Sequence, residues 1–564
     1  MTHLRSSLFL GFAFGIVALH LAVVGLLPML NQRWIIIGTL SLGHGTLLAI
    51  GLGAGAFAAR YQVRRLSTVL HAAIAGAIAA LPLAALATVM LHVNLRWMFI
   101  ALSPDLLHML TFGLAAPIGL GLLMFAGGAL GVAGCLLSWA PARLRHALIW
   151  GCTAFVIAGV FQELIQIMMQ ANDWTATIQD VLYTWEGLTP QGAAILFLCG
   201  VLAGGGSGLL RTRTAARGNG SPQAVRRRRS TNMAIVLAVL IVFPLVAGSY
   251  IGQVMMLVGL YILMGMGLNL EVGLAGLLDL GFVAFFAVGA YTTAILTADS
   301  AHALASYTVL PSLTIWEAMP ISVLMAVVVG VAFGMPVLGV RGDYLAVATM
   351  GLGEIVRVLV ASDFAAPLLG GAQGILQIPR PAIGGLVLND PVALFYVTLA
   401  AAMVAAWFAW RLENSRLGRA WMALRDDEDV AQALGINLVK AKLLAYGLGA
   451  AFAGLAGSIF ATMLGAIYPS SFQLLISINV LALIIVGGMG SLAGVVVGAA
   501  VLIGLPELLR EFGEYRYLFY GAALVIMMRI RPEGLWPSPT RRRELHADDA
   551  LPETDGESIA MAAD

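Results

Sequence analysis

Two groups of residues in this 564-residue chain could do chemistry, and in both it is electrostatic rather than covalent. One is the charged run Arg425-Asp-Asp-Glu-Asp429, inside a polar insert at 415–437 that separates two long apolar stretches. The other is a scatter of polar side chains within apolar stretches: Asn269, Glu271, Asp279, Glu354 and Arg357. Ionisable groups at membrane depth are costly, which makes them functional candidates by default. Asp279 could line a path and attract an ammonium group, or hydrogen-bond a break in a helix; the sequence leaves both open. Asn269 and Glu271 border the expected edge of a membrane span, where polar capping is the favoured reading. Glu354 and Arg357 stand at i and i+3, so on one helix they can neutralise each other; facing a bundle interior, they could open or close a path.

Covalent chemistry has little to stand on. His44, His71, His92 and His108 are scattered without ligand spacing, and no His/Asp/Glu cluster sits at a membrane edge to support a membrane enzyme. Cys135, Cys152 and Cys199 lie in apolar runs with neither metal-like spacing nor a disulfide framework, and read as buried small residues. The chain has no Gly-x-x-x-x-Gly-Lys-Ser/Thr, so it cannot cradle phosphates in the P-loop manner. Gln162, Glu163, Gln166 and Gln170 form a polar stripe at helical spacing.

The elements that must position these residues follow from composition. At 60% hydrophobic and 11% charged, the chain is not an ordinary soluble globule. Its apolar runs recur, each long enough to cross roughly 30 Å of hydrocarbon. Backbone groups in lipid must be satisfied within the chain, and these runs are continuous rather than alternating, so helices are expected and a β-barrel is not. The fold class is therefore all-α, a polytopic helical membrane protein. The 65 glycines fit close helix packing, including Gly281, Gly289, Gly351 and Gly353. The apolar run after Arg5 exceeds a signal-peptide core, so an uncleaved first span is expected.

Hydropathy places about six spans in 1–210, near 7–27, 35–58, 68–91, 108–138, 146–170 and 191–210. A basic linker at 211–231 follows. About ten more spans occupy 232–535, near 232–249, 251–270, 273–297, 319–339, 344–362, 391–410, 442–467, 472–488, 490–509 and 516–529, giving about 16 spans or half-spans. The regions 273–297 and 484–500 are the half-span candidates. Residues 536–564 read as a disordered tail. The Arg226–Arg229 cluster between spans is a cytoplasmic topology signal rather than a nucleic-acid site. Counting from it puts Arg60, Arg64, Arg65, Arg143, Arg145, Arg341, the loop 411–440 and Arg541–Arg543 inside, with both termini cytoplasmic.

Within the insert, Ala420, Leu424, Val430, Ala431, Leu434 and Ile436 could cover one side of a short helix or a bent helix pair. Acidic residues would then sit at a helix N-terminus, and Gly435 could end the helix in a left-handed conformation. Such a water-facing helix between spans is a docking candidate.

The insert sequence Ala423-Leu-Arg-Asp-Asp-Glu-Asp-Val-Ala-Gln-Ala-Leu-Gly-Ile-Asn437 resembles the cytoplasmic coupling loop of LivM-type permeases of branched-chain amino acid ABC importers. Three further stretches resemble the family in the same order: Gly267-Leu-Asn-Leu-Glu-Val-Gly-Leu-Ala-Gly-Leu-Leu-Asp-Leu-Gly281 with Phe285-Phe286 and Gly289-Ala290-Tyr291, the segment from Arg341 to Arg357, and Gly487-Gly-Met-Gly-Ser491 with Gly494. The resemblance covers about 232–535 and departs from the family in two places. The outer loop reads Leu369-Gly-Gly-Ala-Gln-Gly374 where family members often have Thr-Gly-Gly-Pro-Asn-Gly, and residues 1–210 form a longer extension than expected.

The resemblance implies a subunit of a bacterial inner-membrane importer that does no covalent chemistry itself. It implies a LivH-type permease partner, two cytoplasmic ATPases that bind ATP and Mg, and an extracytoplasmic binding protein. Lipid surrounds the chain, with no cofactor of its own and no nucleic acid. Arg425, Asp426, Asp427, Glu428, Ala431 and Gly435 are the coupling candidates. Asn269, Asp279, Gly281, Glu354, Arg357, Gly371 and Gly488 are the candidates for the translocation path. Substrates could be branched-chain or related neutral amino acids, or urea and short amides. From a different class, an ion-coupled secondary transporter would need a coupling carboxylate and no docking helix.

Overall fold

A computed structural model describes residues 2–60, 66–170, 173–215, 231, 238–298, 312–337, 339–340 and 342–537. Arg64, Arg65, Arg226–Arg229, Arg341, Arg541–Arg543, most of the linker and nearly all of the tail lie outside the described residues. The chain divides into two compact units, Met1–Leu237 and Ala238–Asp564.

Among the described residues ten helices are long and apolar enough to cross a membrane, with one further pair joined at a sharp bend. Shorter apolar helices lie at Pro190–Gly204, Ala238–Ala247, Val283–Thr297 and Leu492–Leu508. The half-span candidate 273–297 is thus among the short elements, whereas 484–500 is divided between the end of the span Pro469–Gly487 and the short helix Leu492–Leu508. Strand is confined to two small antiparallel hairpins, Trp34–Ile36 with Leu40–Ser41 and Ala382–Ile383 with Leu386–Val387.

In the first unit the helices Thr2–Val23, Leu42–Ala59, Leu66–His92 and Ala116–Trp139 pack together. Backbone meets backbone where side chains are absent: Gly55 faces Gly131, and Gly76 faces Gly127. Dispersion contacts made at such short range are a main source of cohesion in lipid. The expected single span at 146–170 is instead two helices, Ala142–Val160 and Gln162–Gln170, bent by 73°. Its polar stripe accounts for the bend, because amide side chains on a straight span would lack partners. Past the bend, Gln162 donates to the Glu186 carbonyl at 3.5 Å and Gln166 to the Thr184 carbonyl at 3.2 Å, while Glu163 lies 4.0 Å from Arg33. Cys135 is buried as expected, but Cys152 and Cys199 lie on the unit's apolar exterior. A thiol is apolar enough for a surface that faces lipid.

The second unit is built from α1 (Ser249–Leu268), α2 (Val283–Thr297), α3 (Ile315–Val337), α4 (Asp343–Ala361), α5 (Pro391–Glu413), α6 (Arg416–Asp426), α7 (Glu428–Ala433), α8 (Leu438–Leu464), α9 (Leu474–Gly487), α10 (Leu492–Ala499) and α11 (Tyr515–Ile530). Helices α1 and α8 are its most enclosed spans, and α8 packs against α1, α2 and α3. Gly289 of α2 lies on the backbone of Gly454, and Gly457 of α8 on the backbone of Phe286. At one end Ser249 donates to Asp390 at 3.0 Å, Tyr250 to the Glu507 carbonyl at 2.9 Å and Trp316 to the Ala382 carbonyl at 2.7 Å. The polar insert occupies the other end, between α5 and α8.

Candidate functional site: the polar insert and the broken helix it touches

The insert is a bent helix pair whose ends are set by its own side chains. Ser415 caps α6, accepting from the backbone N–H groups of Leu417 at 3.1 Å and Gly418 at 3.2 Å. Asp427 is extended (φ −158°) and both stops α6 and caps α7, accepting from the N–H groups of Asp429 and Val430 at 2.9 Å each. Gly435 then turns left-handed (φ +87°), and the Ile436 N–H reaches back to the Ala431 carbonyl at 3.1 Å. Only a residue tolerating positive φ closes a helix this way at little cost.

Four contacts lock the pair onto the spans. Trp421 is fully buried and its indole N–H donates to the Ala441 carbonyl at 2.9 Å. Leu424 and Ala431 are buried beside it. Lys442 of α8, almost enclosed, forms a 2.8 Å ion pair with Glu428. Arg425 donates to the Gly273 carbonyl at 3.0 Å and also meets Asp426 at 3.3 Å. Val430 and Leu434 point outward, 55% and 76% exposed, instead of lining the inner side as expected. The bend at Asp427 rotates α7 so that Ala431 alone of its residues is buried. The free face of the insert is therefore apolar at Val430 and Leu434 and acidic at Asp426, Asp427 and Asp429.

Arg425 leads to the first Gly-rich motif. There α1 widens into a π-helix, Asn269–Leu274, and the chain then runs without helix to α2. Single-turn π segments recur at functional sites, because the extra residue leaves backbone and side chains to be satisfied elsewhere. Asn269 and Glu271 are buried, in the last turns of the span Ser249–Leu274. The Asn269 side-chain oxygen accepts from the Gly490 N–H at 2.9 Å, joining this break to the one between α9 and α10. Asp279 takes the helix-break role: it accepts from the Gly281 N–H at 2.7 Å, while the Thr349 hydroxyl accepts from the Leu280 N–H at 3.0 Å. Gly281 lies on the Thr349 carbonyl, with Gly353 next to it, so both permit close approach. Gly351 does not, since a Cβ there would meet nothing within 4 Å.

The structure thus gathers Asn269, Asp279, Gly281, Gly488 and Arg425 around two helix breaks. Gly488 (φ +121°) lies against the Trp536 carbonyl. Glu354 and Arg357 stand apart on the exposed side of α4, hydrogen-bonded to each other. Gly371 belongs to the loop at the other end, where Ile375 bridges Ile467. Three residues escaped the sequence reading: Trp421, Lys442 and Tyr446. Trp421 gave a usable signal, being the one aromatic residue of a polar insert. Tyr446 and Lys442 gave none, since their role depends on what α8 packs against.

A family model described as branched-chain amino acid transport system / permease component matches residues 250–528. The chain is 35% identical to the high-affinity branched-chain amino acid transport system permease protein LivM of Escherichia coli (strain K12), over 426 residues that cover 70% of this chain and 95% of that protein. Its likeness to LivM of Salmonella typhimurium is 34% over 443 residues, 73% of this chain and 98% of the relative. LivH of Escherichia coli (strain K12) is 23% identical over 295 residues, 50% of this chain and 92% of the relative. The LivM alignments are longer than the whole second unit, so the likeness continues into the first. No solved structure matches the chain.

Proposed function

The chain belongs to the branched-chain amino acid transport permease family, and on that premise we infer that it is the membrane-spanning permease subunit of an ATP-driven importer for branched-chain amino acids. The observation that carries this reading is likeness to LivM over 95% or more of LivM's length. The chain transports rather than catalyses. Its partners in this reading are a LivH-type permease, two cytoplasmic ATPases and an extracytoplasmic binding protein, in a bacterial inner membrane with both termini cytoplasmic. ATP and Mg belong to the ATPases.

The outward face of the insert is the docking surface. Val430 and Leu434 would fill an apolar groove on an ATPase, and Asp426, Asp427 and Asp429 would meet basic residues on its rim. The buried contacts transmit the motion. Force on α6 and α7 reaches α8 through Trp421 and the Glu428–Lys442 pair, and reaches the π-helix through Arg425 and Gly273. The Asn269–Gly490 hydrogen bond carries it to the second break. Helix breaks of this kind are the places where one bundle arrangement can give way to another.

Uptake of labelled leucine by the reconstituted assembly tests the reading. Leucine should accumulate only with ATP, and excess urea should leave uptake unchanged. Leu434→Asp, on an exposed site, should leave the chain folded while cutting ATPase binding and uptake at least tenfold. Unimpaired ATPase binding in that variant refutes the docking assignment, and failure of unlabelled leucine to compete refutes the substrate.

A further inference from the structure

Glu271 and Asp279 form a second polar centre that docking and transmission do not explain. Both are enclosed by the second unit, 0% and 1% exposed. Both carboxyl groups lie against the same turn of α8, Asp279 sharing a pocket with Tyr446 and Glu271 lying against Gly449. Among the described residues no N–H or O–H donates to either oxygen of Glu271 or to Oδ2 of Asp279. Among the same residues the Tyr446 hydroxyl, on a residue 2% exposed, is also without a partner. Asp279 and Tyr446 line a small, partly open pocket of about 10 Å³ with Phe285, Phe333, Thr349 and Leu352. That is room for roughly one water-sized body.

Two buried carboxylates this close cannot both be ionised at low cost unless a cation compensates them. The charged and titratable groups on the surrounding elements do not supply one. Lys442 on α8 is committed to Glu428, and Arg425 on α6 to Gly273 and Asp426. Arg411, at the insert end of α5, lies over the Trp407 ring, and Glu354 and Arg357 on α4 hold each other. Among the described residues no Lys, Arg or His pairs with either carboxyl group.

We propose that Glu271 and Asp279 are a proton-binding site, a carboxyl pair that holds one shared proton in this closed arrangement. The donor pattern assigns the proton's place. Asp279 already accepts the Gly281 N–H on Oδ1 and is the better seat for the negative charge. Glu271, which no donor reaches, carries the proton and donates it to Asp279 Oδ2. One O–H then satisfies two otherwise orphaned oxygens and removes one of the two charges. Glu271 lies two residues before Gly273, whose carbonyl Arg425 holds, so motion of the insert acts on the turn that carries the pair. Opening that turn to water would let the proton leave, and resealing it would require one to return. This last step rests on the docking reading above; the proton itself does not.

Difference infrared spectroscopy on the full-length chain in lipid, without ATPases or substrate, tests the site directly. At neutral pH and with no sodium or potassium salts, the wild type should show the carbonyl stretch of a protonated carboxyl group, shifted in heavy water. Glu271→Gln should abolish that band, and Asp279→Asn should displace it. A wild type without the band refutes the proposal, as does a band that survives Glu271→Gln in a folded sample. A band erased by adding sodium at constant pH would also overturn it, in favour of a metal-cation site. None of these outcomes depends on uptake, so the transport reading can fail while the proton site stands, and the reverse.

Discussion

Lys442 shows how a single residue can matter more than its neighbours in the sequence predict. Its ammonium group is almost enclosed and rests on Glu428, itself only a quarter exposed. Removing one partner of such a pair leaves a charge without water or counterion, a change that costs about 3 kcal/mol or more when the site is dry. Removing both is far less harmful, because the desolvation penalty goes with the charge. Lys442→Met should therefore lower the thermal stability of the purified chain sharply, and Lys442→Met with Glu428→Leu should recover much of it. The cycle should give a coupling of about 1–3 kcal/mol. Additive losses would mean that the pair contributes nothing beyond its separate side chains. Glu354 and Arg357 have the same kinds of group, but on the exposed side of α4 rather than enclosed by the unit. Equal sequence signals thus conceal unequal energetics, because burial is a property of the packed unit.

At the scale of elements, glycines in the same motifs divide by what lies opposite them. Gly289 meets the backbone of Gly454, so a side chain there must push α2 off α8. Overpacking at such a contact costs about 3 kcal/mol, and Gly289→Val should yield a chain that loses its fold in detergent well below the wild-type temperature. Gly351 has open space around its Cβ position. Gly351→Ala should hold or raise stability, by up to about 1 kcal/mol from helix propensity alone. Comparable losses in both variants would mean that motif membership, not contact, sets the requirement. The contrast also marks what was readable in the sequence. Continuous apolar runs specify helices in lipid whatever they touch, so the spans, the insert and the left-handed stop at Gly435 were legible from local pattern. The bend past Val160, the π-helix at Asn269–Leu274 and the meeting of Glu271 with Asp279 were not. Each arises because a polar group inside the unit finds, or fails to find, a partner far away in the chain: Gln162 with Glu186, and Asn269 with Gly490.

For the molecule as a whole, coupling requires the insert and the loop before α5 to face opposite sides of the membrane. Helix α5 separates them with 23 residues, a length of roughly 35 Å at 1.5 Å per residue, enough to cross the hydrocarbon. The charges agree on direction. Arg411, Arg416, Arg419 and Lys440 cluster around the insert, against Arg380 alone in the loop before α5, and short basic segments stay on the cytoplasmic side. Two single cysteines test this, in a background where Cys135, Cys152 and Cys199 are replaced by alanine. Ile383→Cys lies in the exposed hairpin before α5, and Gln432→Cys on the free face of α7. A membrane-impermeant maleimide added to intact cells should label position 383 at once and position 432 only after the membrane is opened. Labelling of both from outside would remove α5 as a span. The reverse order would keep the span but place the insert where no ATPase can reach it, so the docking surface, the transmission through Arg425 and the cytoplasmic termini would have to be abandoned together.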